Sequence, residues 1–237
     1  MDSIEMLQKI IDESDNIVFF GGAGVSTESG IRDFRGDNGL YKDKNNYEPE
    51  YLLSSKCFHN EPEVFFDFYK NKMNCLDAVP NVTHLYLSKL EKLGKLKAIV
   101  TQNIDGLHQK AGSSNVLEIH GTVRKNHCIE CSKECDSDFV FNSNGIPKCD
   151  CGGIIKPNVV LYGDMLPEAF SIAQDYISKA DTLIVAGTSL TVEPASSLVR
   201  LFGGKNLIII NKDKTPYDKF ATLVINDNLF NVFGNLH

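Results

Sequence analysis

Five short apolar runs most constrain how this chain can fold: Asn16 to Phe20, Ala98-Ile99-Val100, Asp181 to Ala186, Asn206 to Ile210 and Ala221 to Ile225. A strand with one wet face alternates polar and apolar residues. Unalternating Val, Ile and Leu suit strands covered on both faces, as in a parallel sheet between helices. The intervening segments supply those helices. Met6, Leu7, Ile10 and Ile11 recur at helical spacing, with Asp2 or Ser3 available as N-cap. Asn81, after Pro80, opens a helix over Val82 to Leu93, and Pro167 and Pro194 stand as first-turn prolines before helices at 168–178 and 195–202. Strand, helix, strand in repetition predicts an α/β fold, a doubly wound, mostly parallel Rossmann-like sheet.

Two stretches break the alternation. Asp37 to Val79 carries eight aromatic residues and reads as a mostly helical insertion, while Thr122 to Lys156 carries five cysteines and little periodicity. With 237 residues, one large or two small units fit. The economical division is a main α/β domain from 1–36, 81–121 and 157–237, with a smaller module from 37–80 and 122–156. The 31 acidic against 24 basic residues give a net charge of −7, which disfavours nucleic acid and suits basic partners such as lysine-bearing peptides. No stretch approaches ~20 uninterrupted apolar residues, so no membrane span is expected. Met1 to Asp12 lacks the basic start and clean apolar run of a secretory signal. A cytoplasmic, reducing setting follows, in which cysteines read as thiols or metal ligands.

Cys128-Ile-Glu-Cys131 and Cys149-Asp-Cys151-Gly152-Gly153 form two knuckles suited to one zinc ion bound by four thiolates, Cys128, Cys131, Cys149 and Cys151. Four protein ligands leave no open position, so the ion would be structural. The second pair has one spacer instead of two, and Cys135 is a spare thiol that could replace a ligand. A redox C-x-x-C would want a thioredoxin-like setting, which is missing. Cys57 and Cys75 read as small buried hydrophobes.

Phe19-Phe20-Gly21-Gly22-Ala23-Gly24-Val25-Ser26 is a strand followed at once by glycines, which permit close approach of a phosphate to main-chain N–H groups. Gly22, Ala23 and Gly24 would offer those groups. The dinucleotide fingerprint of dehydrogenases is not met, since Thr27 stands at its third glycine. The longer run from Gly24 to Gly36, G-V-S-T-E-S-G-I-R-D-F-R-G, resembles the cofactor-binding signature of the sirtuins, NAD-dependent protein deacylases. Thr101-Gln102-Asn103-Ile104-Asp105-Gly106-Leu107-His108, Glu118-Ile119-His120-Gly121 and Gly187-Thr188-Ser189-Leu190 agree with it, in family order. The chain is similar to bacterial-type, single-domain members over nearly its whole length.

The resemblance makes the main domain the NAD-binding one and assigns roles. Ser26, Thr27 and Arg35 would join the pyrophosphate cradle, and Phe34 would lie against the nicotinamide. Gln102 and Asn103 would stand near the nicotinamide ribose, with Ile104 and Asp105 holding the carboxamide. Gly187, Thr188, Ser189 and Asn211 would contact phosphate or the adenosine ribose, and Lys212 and Asn228 the adenine side. His120 would carry the proton chemistry with Asn103 beside it, since an imidazole can accept a proton at neutral pH. In sirtuins the acyl-lysine oxygen attacks the sugar carbon as nicotinamide leaves, the histidine activates a ribose hydroxyl, and O-acyl-ADP-ribose and free lysine result. Asn158 to Asp164 resembles the segment that pairs with an extended acyl-lysine peptide, with Val160, Tyr162 and Gly163 as contacts.

The implied activity is therefore NAD-dependent deacetylation of protein lysine. Protein ADP-ribosyl transfer or NAD hydrolysis could use the same site, and a non-catalytic NAD or acyl-lysine reader is the non-enzymatic alternative. Members that remove acidic acyl groups carry Tyr-x-x-Arg in the small module. Tyr47 and Tyr51 lack that arginine, and Glu50 lies nearby, which implies a neutral acyl group, acetyl first. Arg32 stands where the family usually has proline, and could loosen the loop or add a phosphate contact. Oligomeric state is left open.

Overall fold

Asp2 accepts from the Glu5 amide and Glu5 reaches back to the Asp2 amide, a capping box that starts α1 (Ser3–Glu13). The chain then enters β1 (Ile17–Gly21), all five residues of which are buried. The computed structural model describes residues 2–34, 36, 39–43 and 47–237. After the loop come α2 (Pro49–Leu52), α3 (Ser55–Asn60), α4 (Pro62–Lys72) and α5 (Val82–Lys92). Strand β2 (Leu96–Thr101), α6 (Leu107–Lys110) and β3 (Val116–Glu118) follow. The cysteine-rich stretch forms β4 (Gly121–Cys128), β5 (Glu134–Cys135), α7 (Ser137–Asn142) and β6 (Ile155–Val159). The chain closes with α8 (Glu168–Lys179), β7 (Thr182–Ala186), β8 (Asn206–Ile210), β9 (Leu223–Ile225) and α9 (Leu229–Gly234).

Six strands form one sheet in the order β3-β2-β1-β7-β8-β9, and every pairing in it is parallel. The chain builds outward from β1 to one edge, returns, and builds outward from β7 to the other. The order therefore reverses between β1 and β7. Alternate residues of β1 feed opposite cores. Ile17 and Phe19 pack with Leu7 of α1, Leu87 and Leu90 of α5 and Phe233 of α9, while Val18 and Phe20 pack with Ala173 and Ile177 of α8. This is the two-sided burial that the apolar runs imply.

A second sheet, β5-β4-β6, is antiparallel. A third apolar cluster lies beneath it, in which Phe58, Phe65, Phe66 and Tyr69 from the aromatic insertion pack with Val123, Cys128, Val140, Phe141 and Ile155 from the cysteine-rich one. Two details sharpen the sequence reading. The helix at 195–201 is of the 3-10 type, with Ser197 Oγ donating to the Pro194 carbonyl at 2.6 Å and competing for local backbone bonds. Strand β6 ends at Val159, so the expected peptide segment, Asn158 to Asp164, begins at the strand's last two residues.

Phe65 is fully buried, edge-on to Phe58 and Phe66 and stacked on Tyr69 with ring centroids 5.6 Å apart. Phe65→Ala should cost about 3–5 kcal/mol, read as a lowered urea midpoint at unchanged slope. A loss below about 1 kcal/mol would show that this cluster does not hold the two insertions together.

Candidate active site

The reversal of strand order leaves a crevice at the carboxyl ends of β1 and β7, where α/β sheets bind ligands. Two backbone turns meet there. Gly22 N–H donates to the Ala186 carbonyl at 3.1 Å and Gly24 N–H to the Gly187 carbonyl at 2.8 Å. A Cβ on Gly24 would stand 2.7 Å from Gly187 Cα, and one on Gly187, whose φ is +60°, would stand 2.6 Å from Val25 N. Only glycine permits this approach. The amides of Gly22 and Gly24, expected to face a phosphate, are thus committed to the β7 turn, whereas the Ala23 amide has no partner among the described residues. The glycines supply proximity, and Ala23 supplies the open donor. A cradle this shallow in side chains fits the pyrophosphate of a dinucleotide.

Behind that turn lies a buried polar network. Ser26 Oγ donates to Asp105 Oδ2 at 2.6 Å and accepts from Asn103 Nδ2 at 3.0 Å. Asp105 Oδ1 accepts from the Leu107 amide at 2.8 Å, and Thr101 Oγ1 from the Asn103 amide at 3.0 Å. Ser26, Asn103 and Asp105 are all buried, so their mutual bonds replace lost water. Gln102 spans the crevice, its Nε2 donating to Thr188 Oγ1 at 3.1 Å. Ile104 packs against the third apolar cluster, on the small-sheet side of the crevice.

His120 follows β3 and sits between this loop and the segment after β6. Its Nδ1 lies 3.1 Å from the Gln102 carbonyl, and its own carbonyl accepts from the Val160 amide at 2.8 Å. A carbonyl only accepts, so Nδ1 carries the proton and Nε2 keeps a lone pair. Burial pushes the imidazole below its usual value, against the Gln102 bond that raises it. At neutral pH the ring is an uncharged base.

Thr188 Oγ1 also accepts from the Leu190 amide at 3.3 Å, and Ser189 Oγ lies 2.8 Å from Thr191 Oγ1. Asn211 directly follows β8, its Nδ2 donating to the Asp213 carbonyl at 2.8 Å, and Lys212 comes next. The Asn228 side chain is held structurally: Oδ1 accepts from the Phe230 amide to cap α9, and Nδ2 donates to Glu28 at 2.8 Å. Thr27 Oγ1 donates to the Gly24 carbonyl at 3.0 Å. Phe34 stands edge-on to Tyr41, centroids 5.4 Å apart, while Arg35 lies outside the described residues. Arg32 forks onto Asp43 at 2.9 and 3.1 Å, and Lys72 reaches the same carboxylate at 2.7 Å. Arg32 thus braces the loop through Asp43.

The segment expected to meet a peptide is only partly open. Tyr162 N–H donates to the Leu53 carbonyl at 2.9 Å and its carbonyl accepts from the Ser55 amide at 3.0 Å, so its backbone already pairs within the chain. Its ring remains exposed, hydroxyl 3.3 Å from that of Tyr41. The Val160 carbonyl and the Gly163 backbone have no partner among the described residues. Tyr47 and Tyr51 stack and both donate to Glu61, so the pair offers no cation.

The sulfurs of Cys128, Cys131, Cys149 and Cys151 lie within 4.8 Å of one another, with closest separations of 3.5 to 3.7 Å. A tetrahedron with ~2.3 Å zinc–sulfur bonds has edges of roughly 3.8 Å. The four thiols therefore fit a zinc ion with almost no movement. Cys135 is not in the cluster, its Sγ donating to the Lys133 carbonyl at 3.7 Å. The short Cys149-Asp-Cys151 spacing is accommodated by a turn in which the Gly152 amide donates to the Cys149 carbonyl and Gly152 takes φ +89°.

Two features lie outside the roles read from sequence. Arg124 donates through Nε to the Asp105 carbonyl at 2.9 Å, bracing the Asp105 loop from β4. His84 and His108 are buried with rings 4.7 Å apart, and burial pushes His84 down to about 4. Arg124 and His84 are not distinguishable in sequence from other residues of their type, and His108 closes the Thr101–His108 block without a role of its own.

Known proteins resemble this chain throughout. The model of the Sir2 family matches residues 22–194. An NAD-dependent protein deacetylase of Clostridium acetobutylicum is 58% identical over 236 residues, covering 97% of this chain and 96% of that protein. One of Clostridium perfringens is 55% identical, covering 99% and 98%. Among solved structures, a Sir2 histidine-to-alanine variant with deacetylated p53 peptide and 3′-O-acetyl-ADP-ribose superposes with a TM-score of 0.92 at 38% identity, covering 98% of this chain and 96% of that one. A Sir2 complex with p53 peptide and NAD gives 0.86 at 39% identity, covering 99% and 96%.

Elemental analysis should find one zinc per chain. Cys131→Ser should abolish it and lower the thermal midpoint, and Cys135→Ser should leave it at one. Loss of zinc in the Cys135 variant would refute the ligand set.

Proposed function

The chain belongs to the Sir2 family, and from that premise we infer that it is an NAD-dependent protein-lysine deacetylase with one structural zinc. The observation that carries this reading is the pairing of a glycine-only crevice with a neutral imidazole at its edge. Bound NAD supplies a ribose carbon made electrophilic by departure of nicotinamide, so that acetyl passes from lysine to ADP-ribose, with release of nicotinamide and O-acetyl-ADP-ribose.

The chain's own groups do the rest. The Ala23 amide, with Ser26, Thr27 and Arg35, holds the pyrophosphate, and Gly22, Gly24 and Gly187 let it approach. Thr188, Ser189 and Asn211 line the adenosine side with Lys212; Asn228 contributes through Glu28 and the α9 cap. Asp105 and Ile104 hold the nicotinamide carboxamide, and Asn103 stands at the ribose. Phe34 shields the sugar from water. His120, its Nδ1 proton fixed on the Gln102 carbonyl, accepts a hydroxyl proton at Nε2. The zinc, closed by four thiolates, only stabilises the small sheet.

The acetyl-lysine peptide docks along 160–163, through the Val160 carbonyl, the Gly163 backbone and the Tyr162 ring. The Val160 amide is bonded to the His120 carbonyl, which places the peptide segment directly beside the base. A net charge of −7 favours lysine-bearing protein over nucleic acid as partner. Four zinc-binding thiolates suit a reducing cytoplasm, and no helix among the described residues is long and apolar enough to cross a membrane. Residues 37–80 and 122–156 act as the small module, sharing one apolar cluster, against the NAD-binding domain formed by 1–36, 81–121 and 157–237.

Mass spectrometry of an acetyl-lysine peptide should show a 42-dalton loss, roughly one acetyl group, only with NAD present, alongside O-acetyl-ADP-ribose. Nicotinamide release that ignores the peptide would instead mark NAD hydrolysis. His120→Ala should lower turnover by roughly 10²–10⁴-fold while dinucleotide binding persists. Because the base must be uncharged and burial lowers its pKa, activity should hold from neutral pH down through about 6.5 and fall only below it. An acid limb centred above 7 would contradict this assignment of the proton.

A further inference from the structure

Asn81 stands where helix α5 meets the cofactor turn, and its side-chain amide is divided between them. Oδ1 accepts from the Thr83 amide at 3.0 Å, while the Asn81 N–H donates to His84 Nδ1 at 3.2 Å, so the residue caps α5. Nδ2 serves the other side. It donates to the Val25 carbonyl at 2.8 Å and to Ser29 Oγ at 3.0 Å, which uses both of its hydrogens.

Those two acceptors flank Ser26 and Thr27. The segment between them is built from single 3-10 turns, Ala23–Val25 and Thr27–Ser29, which hold weakly alone. The Ser26 carbonyl accepts from the amides of Ser29 and Ile31, and Ser26 Oγ enters the Asn103–Asp105 network. A further tie from this turn, Asn228 Nδ2 to Glu28, is exposed.

We propose that Asn81 is a positioning residue for NAD: its Nδ2 pins Val25 and Ser29 so that Ser26 and Thr27 are set for the dinucleotide before it arrives. This rests on the cofactor reading of the crevice given above. A cap requires only an acceptor, and Asn, Asp and Ser cap about equally well. The two ties require a donor within reach. Asn81→Asp and Asn81→Ser therefore keep the cap and remove the ties, and the serine variant does so without adding charge near an anionic ligand.

The test compares both variants with the unaltered chain in four measurements: KM for NAD, KM for acetyl-lysine peptide, calorimetric affinity for ADP-ribose, and amide exchange at Ser29 and Ile31 in ligand-free protein. Expected are an about tenfold rise in KM for NAD and in the ADP-ribose dissociation constant, about 1.4 kcal/mol, with peptide KM within about twofold and the thermal midpoint kept within about 2 °C. Exchange at Ser29 and Ile31 should quicken about tenfold. Unchanged ADP-ribose affinity in both variants, or a joint loss of thermal midpoint and both KM values, would overturn the proposal. Failure of the unaltered chain to bind ADP-ribose would instead overturn the cofactor reading, and the positioning role with it.

Discussion

The backbone contact between two glycine turns, Gly22–Gly24 after β1 and Gly187 after β7, is the constraint on which the site depends. Two N–H to carbonyl bonds close the crevice floor, at 3.1 and 2.8 Å, and no side chain larger than hydrogen fits between the turns. The contact exists because strand order reverses between β1 and β7, which leaves their carboxyl ends adjacent and uncovered by a crossover. Fold and site are therefore one fact at this point: the parallel register of β1 with β7 brings Gly21 opposite Ala186 and sets the turns against each other.

The reactive end is organised by a different economy. Gln102 sits one residue past β2 and touches three parts of the crevice. Its amide donates to the Gly21 carbonyl, its side chain to Thr188, and its carbonyl fixes the His120 tautomer. A single loop thus ties the β1 turn, the β7 turn and the His120 ring. Ser26, Asn103 and Asp105 form a buried set whose side chains are bonded to one another, so the loop cannot shift without leaving a buried donor or acceptor unpaired. The small module enters through the Arg124 bond to the Asp105 carbonyl, which couples β4 to the same loop.

Much of this was legible in the sequence. The apolar runs declared the parallel sheet because two-sided burial forbids alternation, and the cysteine knuckles declared the metal set because thiolates at that spacing have few other uses. The signature blocks located the crevice residues. Hydrogen-bond partners were another matter. Nothing in Gly22-Ala23-Gly24 distinguishes an amide that faces a ligand from one bonded to Ala186 or Gly187, since the partner lies more than 160 residues away. The Asn228 cap on α9 and its tie to Glu28, 200 residues earlier, are likewise absent from local pattern. The strand β6 is placed by its pairing with β4, a long-range register that local pattern does not carry.

The most direct measurement is a crystal structure of the chain with an acetyl-lysine peptide and a non-cleavable carbon analogue of NAD. The account predicts the pyrophosphate within hydrogen-bond reach of the Ala23 amide, with His120 Nε2 turned toward the ribose hydroxyls and its Nδ1 still on the Gln102 carbonyl. A dinucleotide bound outside the β1–β7 crevice, or an imidazole turned away from the sugar, would contradict it.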